Sequence, residues 1–262
     1  MKLVDTHCHL HDSEFYPENR EEVYAQSIAA GVTMLCVGTS EKSSQEAIDF
    51  ARTHDNVHAI IGVHPHDTKH GWGHIREMLE KNRENIIGIG EIGLDYFYTN
   101  SPKETQKQAL REQLTLARKH DLPVSFHVRD AFDDFWPIFD EYKGVRGVLH
   151  SFTDTKENLD KALARGLYIG LNGISTFTKD DLQRKLYQIL PLKHILLETD
   201  APFLTPNPIR GKMNIPAYVE LVARFHAEAR GVSVEEIARV TTATHINYLN
   251  YEYPTIQFQS SI

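Results

Sequence analysis

The chain has little cysteine, only Cys8 and Cys36 in 262 residues. That excludes a disulfide framework and leaves two buried thiols as the expectation, as in a reducing compartment. It is also short of positive charge, with 28 Lys and Arg against 36 Asp and Glu and a net charge of −8. Proteins that coat nucleic acid without selectivity are usually basic. A phosphate-bearing partner must therefore meet a local cationic site. Long apolar runs are missing too, and none approaches the roughly 20 residues that span a bilayer. Met1-Lys2-Leu3-Val4-Asp5 lacks the pattern of a secretory leader. The expectation is a cytoplasmic protein with no membrane contact and no obligate protein partner. No internal repeat, no linker and no Gly-rich turn after the first apolar run is present.

What remains is a regular alternation. Short β-rich apolar runs fall at Leu3–Thr6, Thr33–Gly38, His58–Val63, Ile86–Gly90, Val124–His127, Gly147–His150, Leu167–Leu171 and Ile195–Thr199. Such near-continuous runs suit parallel strands covered on both faces. Between them lie amphipathic stretches. Leu110, Leu114 and Ala117 share a face in Glu104–His120, and Tyr218, Val222, Phe225 and Ala229 recur at helical spacing. Gly31 and Gly166 stand where helix C-terminal caps are wanted, and Ser233 precedes Glu236 by a capping-box interval. About eight such units predict a single-domain α/β fold, a (β/α)₈ TIM barrel over residues 1–250, with a tail at 251–262. A doubly wound open sheet is the alternative.

Histidine is abundant, with 15 residues. In a barrel, chemistry sits at the C-terminal ends of the strands. His7 and His9, Glu91, His127, His150 and Asp200 all fall there, from five different strands. Converging imidazoles and carboxylates need cations to balance the buried anions, so the six residues are expected to hold two divalent metals. Imidazole with carboxylate suits Zn²⁺, Mn²⁺, Fe²⁺ or Ni²⁺, and Mg²⁺ less well. Cys8 should face away from the mouth, and His11 should lie on a solvated rim. Glu198 alternates with Asp200 and serves either a proton relay or a structural ion pair.

These motifs have a family likeness. Val4-Asp5-Thr6-His7-Cys8-His9-Leu10, Gly62-Val63-His64-Pro65, Gly90-Glu91-Ile92-Gly93-Leu94-Asp95-Tyr96 and His127-Val128-Arg129-Asp130-Ala131 stand in order. Leu149-His150-Ser151-Phe152, Glu198-Thr199-Asp200-Ala201-Pro202 and Arg210-Gly211-Lys212-Met213-Asn214-Ile215-Pro216 follow. From Val4 to about Leu249 the chain resembles the TatD-related deoxyribonucleases, metal-dependent hydrolases of the amidohydrolase-like superfamily. Thr244 and the pair Tyr248-Leu249 depart from the family's pattern, but only in the last helix.

The resemblance implies one metal on His7, His9, Glu91 and Asp200 and another on Glu91, His127 and His150, with Glu91 bridging. It also implies 3′–5′ exonuclease action on single-stranded DNA ends, with RNA ends as further substrates. Asp200 would take a proton from the attacking water, and Glu198 would support it. His64 would serve the scissile phosphate or leaving group. By their positions at strand ends and in the loop after the eighth strand, Arg129 would pair with phosphate or with a carboxylate in the mouth, and Arg210 and Lys212 would bind phosphate. Of Tyr96, Phe97, Tyr98, Phe152, Phe177 and Phe203, some could stack on unpaired bases, with core and lid packing as the default. A hydrolase of an amide, lactone or ester is the alternative enzyme. A non-catalytic metal-binding protein is the alternative of another class.

Overall fold

A computed structural model describes residues 2–98 and 100–249. The tail expected at 251–262 lies outside them. Eight strands run through the chain: β1 (Leu3–Cys8), β2 (Val32–Val37), β3 (Val57–Ile61), β4 (Ile86–Asp95), β5 (Val124–Arg129), β6 (Gly147–Leu149), β7 (Tyr168–Leu171) and β8 (Ile195–Leu197). Every adjacent pair is parallel, and spatial order equals chain order. Helices alternate with the strands, from Arg20–Ala29 after β1 to Val219–Arg230 and Val234–Leu249 after β8. The fold is the expected (β/α)₈ barrel. An open doubly wound sheet would reverse its strand order at a switch point, and this one does not.

The physical reason lies in the strand composition. Met34, Leu35, Cys36 and Val37 are all fully buried, so both faces of β2 are covered. Near the N-terminal ends of the strands, Val148 and Leu196 pack with Tyr248 and Leu249 from the end of the last helix. Gly31 and Gly166 take positive φ of 76° and 73° just past their helices, as capping requires. The Ser233 hydroxyl accepts from the Glu236 amide at 3.1 Å.

Helix Val219–Arg230 differs from expectation. Its buried face carries Val219, Val222, Ala223, His226 and Ala227. The apolar stripe read from Tyr218, Val222, Phe225 and Ala229 is thus rotated, and the buried His226 is satisfied in the core by donating from Nε2 to Ser175 Oγ at 2.9 Å, whose own proton goes to the Asn172 carbonyl.

The seam between β8 and β1 is closed at the mouth by the segment that follows β8. Cys8 bridges Ala201, the His9 amide donates to the Ala201 carbonyl at 2.8 Å, and the Asp200 amide donates to the His7 carbonyl at 2.8 Å. Below them the buried Asp5 carboxylate accepts from the Thr199 amide at 2.8 Å and from its hydroxyl at 2.6 Å. This stitching sets Asp200 beside His7 and His9. No helix among the described residues is long and apolar enough to cross a membrane.

Candidate active site

The C-terminal mouth of the barrel is a cavity of about 590 Å³, lined in part by His9, His64, Glu91, His127, Arg129, His150 and Asp200. A larger cavity of about 880 Å³ opens by Lys2, Val32 and the helix Val234–Leu249, but no histidine lines it. The ionisable cluster therefore marks the mouth.

Glu91 stands at the centre. Its Oε2 lies 3.3 Å from His7 Nε2, and its Oε1 lies 2.9 Å from His127 Nδ1, 3.6 Å from His64 Nε2 and 4.0 Å from His150 Nε2. Asp200 Oδ1 lies 3.3 Å from His9 Nε2, 3.6 Å from His150 Nε2 and 3.9 Å from His7 Nε2. Three overlapping triads result, each able to hold a cation: His7, His9 and Glu91; His7, His150 and Asp200; His64, Glu91 and His127. All six residues expected as ligands come together, with His64 beside them.

Backbone and side-chain partners aim the rings. His9 Nδ1 donates to the Val37 carbonyl at 2.8 Å, which leaves Nε2 for the mouth. His7 Nδ1 meets the Ser125 hydroxyl at 3.1 Å. His150 Nδ1 lies 3.0 Å from Glu198 Oε1, and His127 Nε2 donates to Asp95 Oδ2 at 2.9 Å. Each ring thus turns one nitrogen away and presents the other, the usual arrangement around a metal. His7 Nε2 is buried without a hydrogen-bond partner. An orphaned imidazole nitrogen facing the buried Glu91 and the half-buried Asp200 carboxylates fits a divalent cation in both donor type and charge.

The electrostatics agree. Burial would raise the Glu91 carboxyl, yet the imidazoles around it, His127 and His150 among them, hold it well below the carboxylate range. Burial works against charge on His150, yet Glu198, Asp200 and Glu91 outweigh it and lift the imidazole to about 10. His64 goes the other way: burial, then His127, hold it well below 6.5 and neutral. Its Nδ1 accepts the His66 amide at 3.2 Å. The proton of neutral His64 is therefore on Nε2, which faces the cavity as a donor. Proximity admits His64 as a ligand, but this tautomer suits donation to a substrate oxygen.

The residues outside the ligand set are less uniform. Glu198 is fully buried beneath the mouth, where it also accepts from the Ser151 amide at 2.7 Å and from Asn172 at 3.2 Å. It supports His150 and is remote from solvent. Arg129 lines the mouth, with Nε 3.8 Å from Asp95 Oδ2. Arg210 and Lys212 do not line it. The Arg210 guanidinium lies 3.8 Å from the Phe177 ring centre and donates to the Thr205 carbonyl at 2.7 Å, and Lys212 is exposed. His11 corrects an expectation. It is fully buried and pairs with Ser43 at 2.9 Å, because the loop after β1 folds under the helix Glu41–Thr53.

Sequence reasoning missed Asp95. Fully buried, it accepts from His127 and from His66 at 2.9 Å each, and from the Phe97 and Tyr98 amides at 3.0 and 3.1 Å. A signal existed, since Asp95 follows Glu91 by four residues in an apolar strand, where an unpaired carboxylate would be costly.

A parallel barrel with imidazoles and carboxylates aimed at one another across its C-terminal mouth has the build of a metal-dependent hydrolase. Known proteins agree. The family model described as TatD related DNase matches residues 4–250. The uncharacterized metal-dependent hydrolase YcfH of Escherichia coli (strain K12) is 38% identical over 249 residues, covering 92% of this chain and 93% of that one. The 3′-5′ ssDNA/RNA exonuclease TatD of Escherichia fergusonii is 33% identical over 257 residues, covering 94% and 98%. The crystal structure of YjjV, a TatD homolog from Escherichia coli K12, superimposes with a TM-score of 0.88 at 27% identity, covering 95% and 98%. The chain belongs to the TatD-related DNase family of metal-dependent hydrolases.

Proposed function

We propose that this protein hydrolyses the terminal phosphodiester of single-stranded DNA or RNA from the 3′ end. The observation that carries this reading is the neighbourhood of the ligand cluster. A neutral His64 with an Nε2 donor and the Arg129 guanidinium line the same cavity, and together they complement a phosphate better than a carbonyl. A relative named as a 3′-5′ ssDNA/RNA exonuclease supports the same substrate.

In this reading His7, His9, Glu91 and Asp200 would hold one divalent cation, and Glu91, His127 and His150 would hold another. Zn²⁺, Mn²⁺, Fe²⁺, Ni²⁺ and Mg²⁺ are the candidates. When bound, they would supply Lewis-acid activation of the phosphodiester and a lowered pKa for water. The chain's own residues do the rest. Asp200, beside His9 and His150, orients the attacking water and takes its proton. His64 donates a hydrogen bond from Nε2 to the phosphate or to the leaving oxygen. Arg129 pairs with a non-bridging oxygen. Glu198 acts through His150, whose ring it holds in place. Arg210 and Lys212 lie outside the cavity and would serve only a strand that extends past the rim. The two buried free thiols fit a reducing compartment, and the cytoplasm is the proposed location.

The test combines metal analysis with turnover. Protein loaded with Mn²⁺ or Zn²⁺ is mixed with 5′-labelled single strands, with and without chelator. Stepwise loss of 3′ nucleotides that stops on chelation is the expected result. Hydrolysis of an ester, lactone or cyclic amide with strands left intact would favour the alternative that the same cluster admits.

A further inference from the structure

Among the described residues, the exposed aromatic rings are Phe15, Phe97, Tyr98 and Phe203, at 36%, 60%, 47% and 46% of full exposure. Phe15, Tyr98 and Phe203 line the mouth, and Phe97 adjoins Tyr98 at its rim. The other Phe, Tyr and Trp rings among the described residues are buried or half-buried. Exposed aromatic surface costs free energy, and its confinement to the rim of one polar cavity points to a ligand.

The four rings form two pairs. Phe15, in the loop after β1, and Phe203, after β8, meet edge to face at 5.1 Å, and each lies 6.2–6.3 Å from His9. Phe97 and Tyr98, in the loop after β4, meet edge to face at 4.8 Å. Tyr98 lies 5.3 Å from His66, and the Arg129 guanidinium stands 5.6 and 5.3 Å from the two ring centres. In a closed ring of eight strands, β4 and β5 stand opposite β8 and β1. The pairs therefore face each other across the mouth, with the metal-ligating cluster between them.

The two sides are built differently. The Phe15–Phe203 side is apolar, next to His9 and Asp200. The Phe97–Tyr98 side carries Arg129, and its loop is pinned by the Asp95 carboxylate through two amides. A flat π-surface beside a guanidinium is a common platform for a nucleobase joined to a phosphate.

We infer that the two pairs are base-stacking subsites, one on each side of the scissile phosphate, so that the substrate must carry an unpaired base on both flanking nucleotides. This rests on the phosphodiesterase reading above and deepens it. A duplex cannot present splayed bases to opposite walls of a pit, whereas a single-stranded end can. Since any base has a π-face, the subsites tolerate all sequences yet demand a base.

The test uses three single strands: one intact, one with a tetrahydrofuran abasic unit as its last nucleotide, and one with that unit next to last. Turnover by the metal-loaded protein and binding by fluorescence anisotropy under chelation are both read. The wild type should favour the intact strand over each abasic strand by about ten- to hundredfold. Phe15→Ala/Phe203→Ala should collapse that preference at one position, and Phe97→Ala/Tyr98→Ala should collapse it at the other. Phe203→Leu, which keeps apolar bulk without the ring, should behave as the alanine variant does.

Equal handling of intact and abasic strands by the wild type would overturn the inference. So would ring substitutions that slow all three strands by one common factor. If no strand is turned over but binding still depends on the bases, the stacking subsites stand and the nuclease reading falls.

Discussion

Glu198 and His150 meet 3.0 Å apart at the floor of the mouth, and Glu198 is wholly shielded from water. The contact fixes which imidazole nitrogen is turned inward. Glu198→Gln keeps the shape but removes the charge, so His150 becomes a weaker base and a looser ligand. Metal affinity or kcat should fall about 10–100-fold, the usual cost of removing such support. Equilibrium dialysis against Mn²⁺ and single-turnover cleavage would measure both. An unchanged variant would leave Glu198 a purely structural role.

Asp95 does for His127 what Glu198 does for His150, and it also ties down the loop that carries Phe97 and Tyr98. Asp95→Asn should therefore lose metal from the His127 side of the cluster and raise KM for single strands. His127→Ala should lose the metal without the same change in KM. Metal content by mass spectrometry beside a KM-against-kcat comparison separates the two effects.

Cation binding should stabilise the fold. Without it, Glu91, Asp200 and the orphaned His7 nitrogen face each other in a buried space. At a free metal concentration a hundredfold over Kd, mass action adds about 2.7 kcal/mol. Denaturant melts with chelator and with metal should show this gain in the wild type. They should show much less of it in Glu91→Ala.

Gly170 leaves the room that Glu198 occupies: a Cβ there would lie 2.3 Å from Glu198 Oε2. Gly170→Ala should displace the carboxylate, cost about 1–3 kcal/mol of stability and lower activity with it. At Gly166 a Cβ meets open space and only the positive φ of 73° is strained. Gly166→Ala should cost roughly 1 kcal/mol and leave turnover alone. Paired melts and rate measurements distinguish the two glycines.

Burial, then the nearby Arg230, push His226 down to about 3 from 6.5. The unfolded chain therefore takes up a proton below pH 6.5 that the folded chain refuses. Stability is fully present above 6.5 and is lost as pH falls toward 3. Between about pH 7.5 and 5 this one group should remove about 2 kcal/mol. Urea melts should show a shallower pH slope for His226→Gln than for the wild type, whatever the variant's absolute stability.

The strand ends were readable because a short apolar run that stops at His or Glu announces both the element and its exit. His7, Glu91, His127 and His150 were found in that way, and Asp200 by its place after β8. Residues whose roles depend on how a loop turns were not. His66 reaches Asp95 only through the helical turn Pro65–His70. Asn172 reaches Glu198 from just past β7. Arg210 carries a charge in the expected loop, yet contacts with Phe177 and Thr205 turn it from the cavity. His11 looked like rim because composition says nothing about which loop another helix will cover.

The stitch between Asp200 and His7 has a consequence for how the protein is made. The first unit of the barrel emerges from the ribosome with His7 and His9 in place, but the carboxylate that completes their set arrives only with the eighth. A growing chain can gather only part of the cluster until synthesis is nearly done. Assembly of the whole cluster is thus a marker of a finished barrel, and a truncated product lacks the Asp200 carboxylate by its own topology.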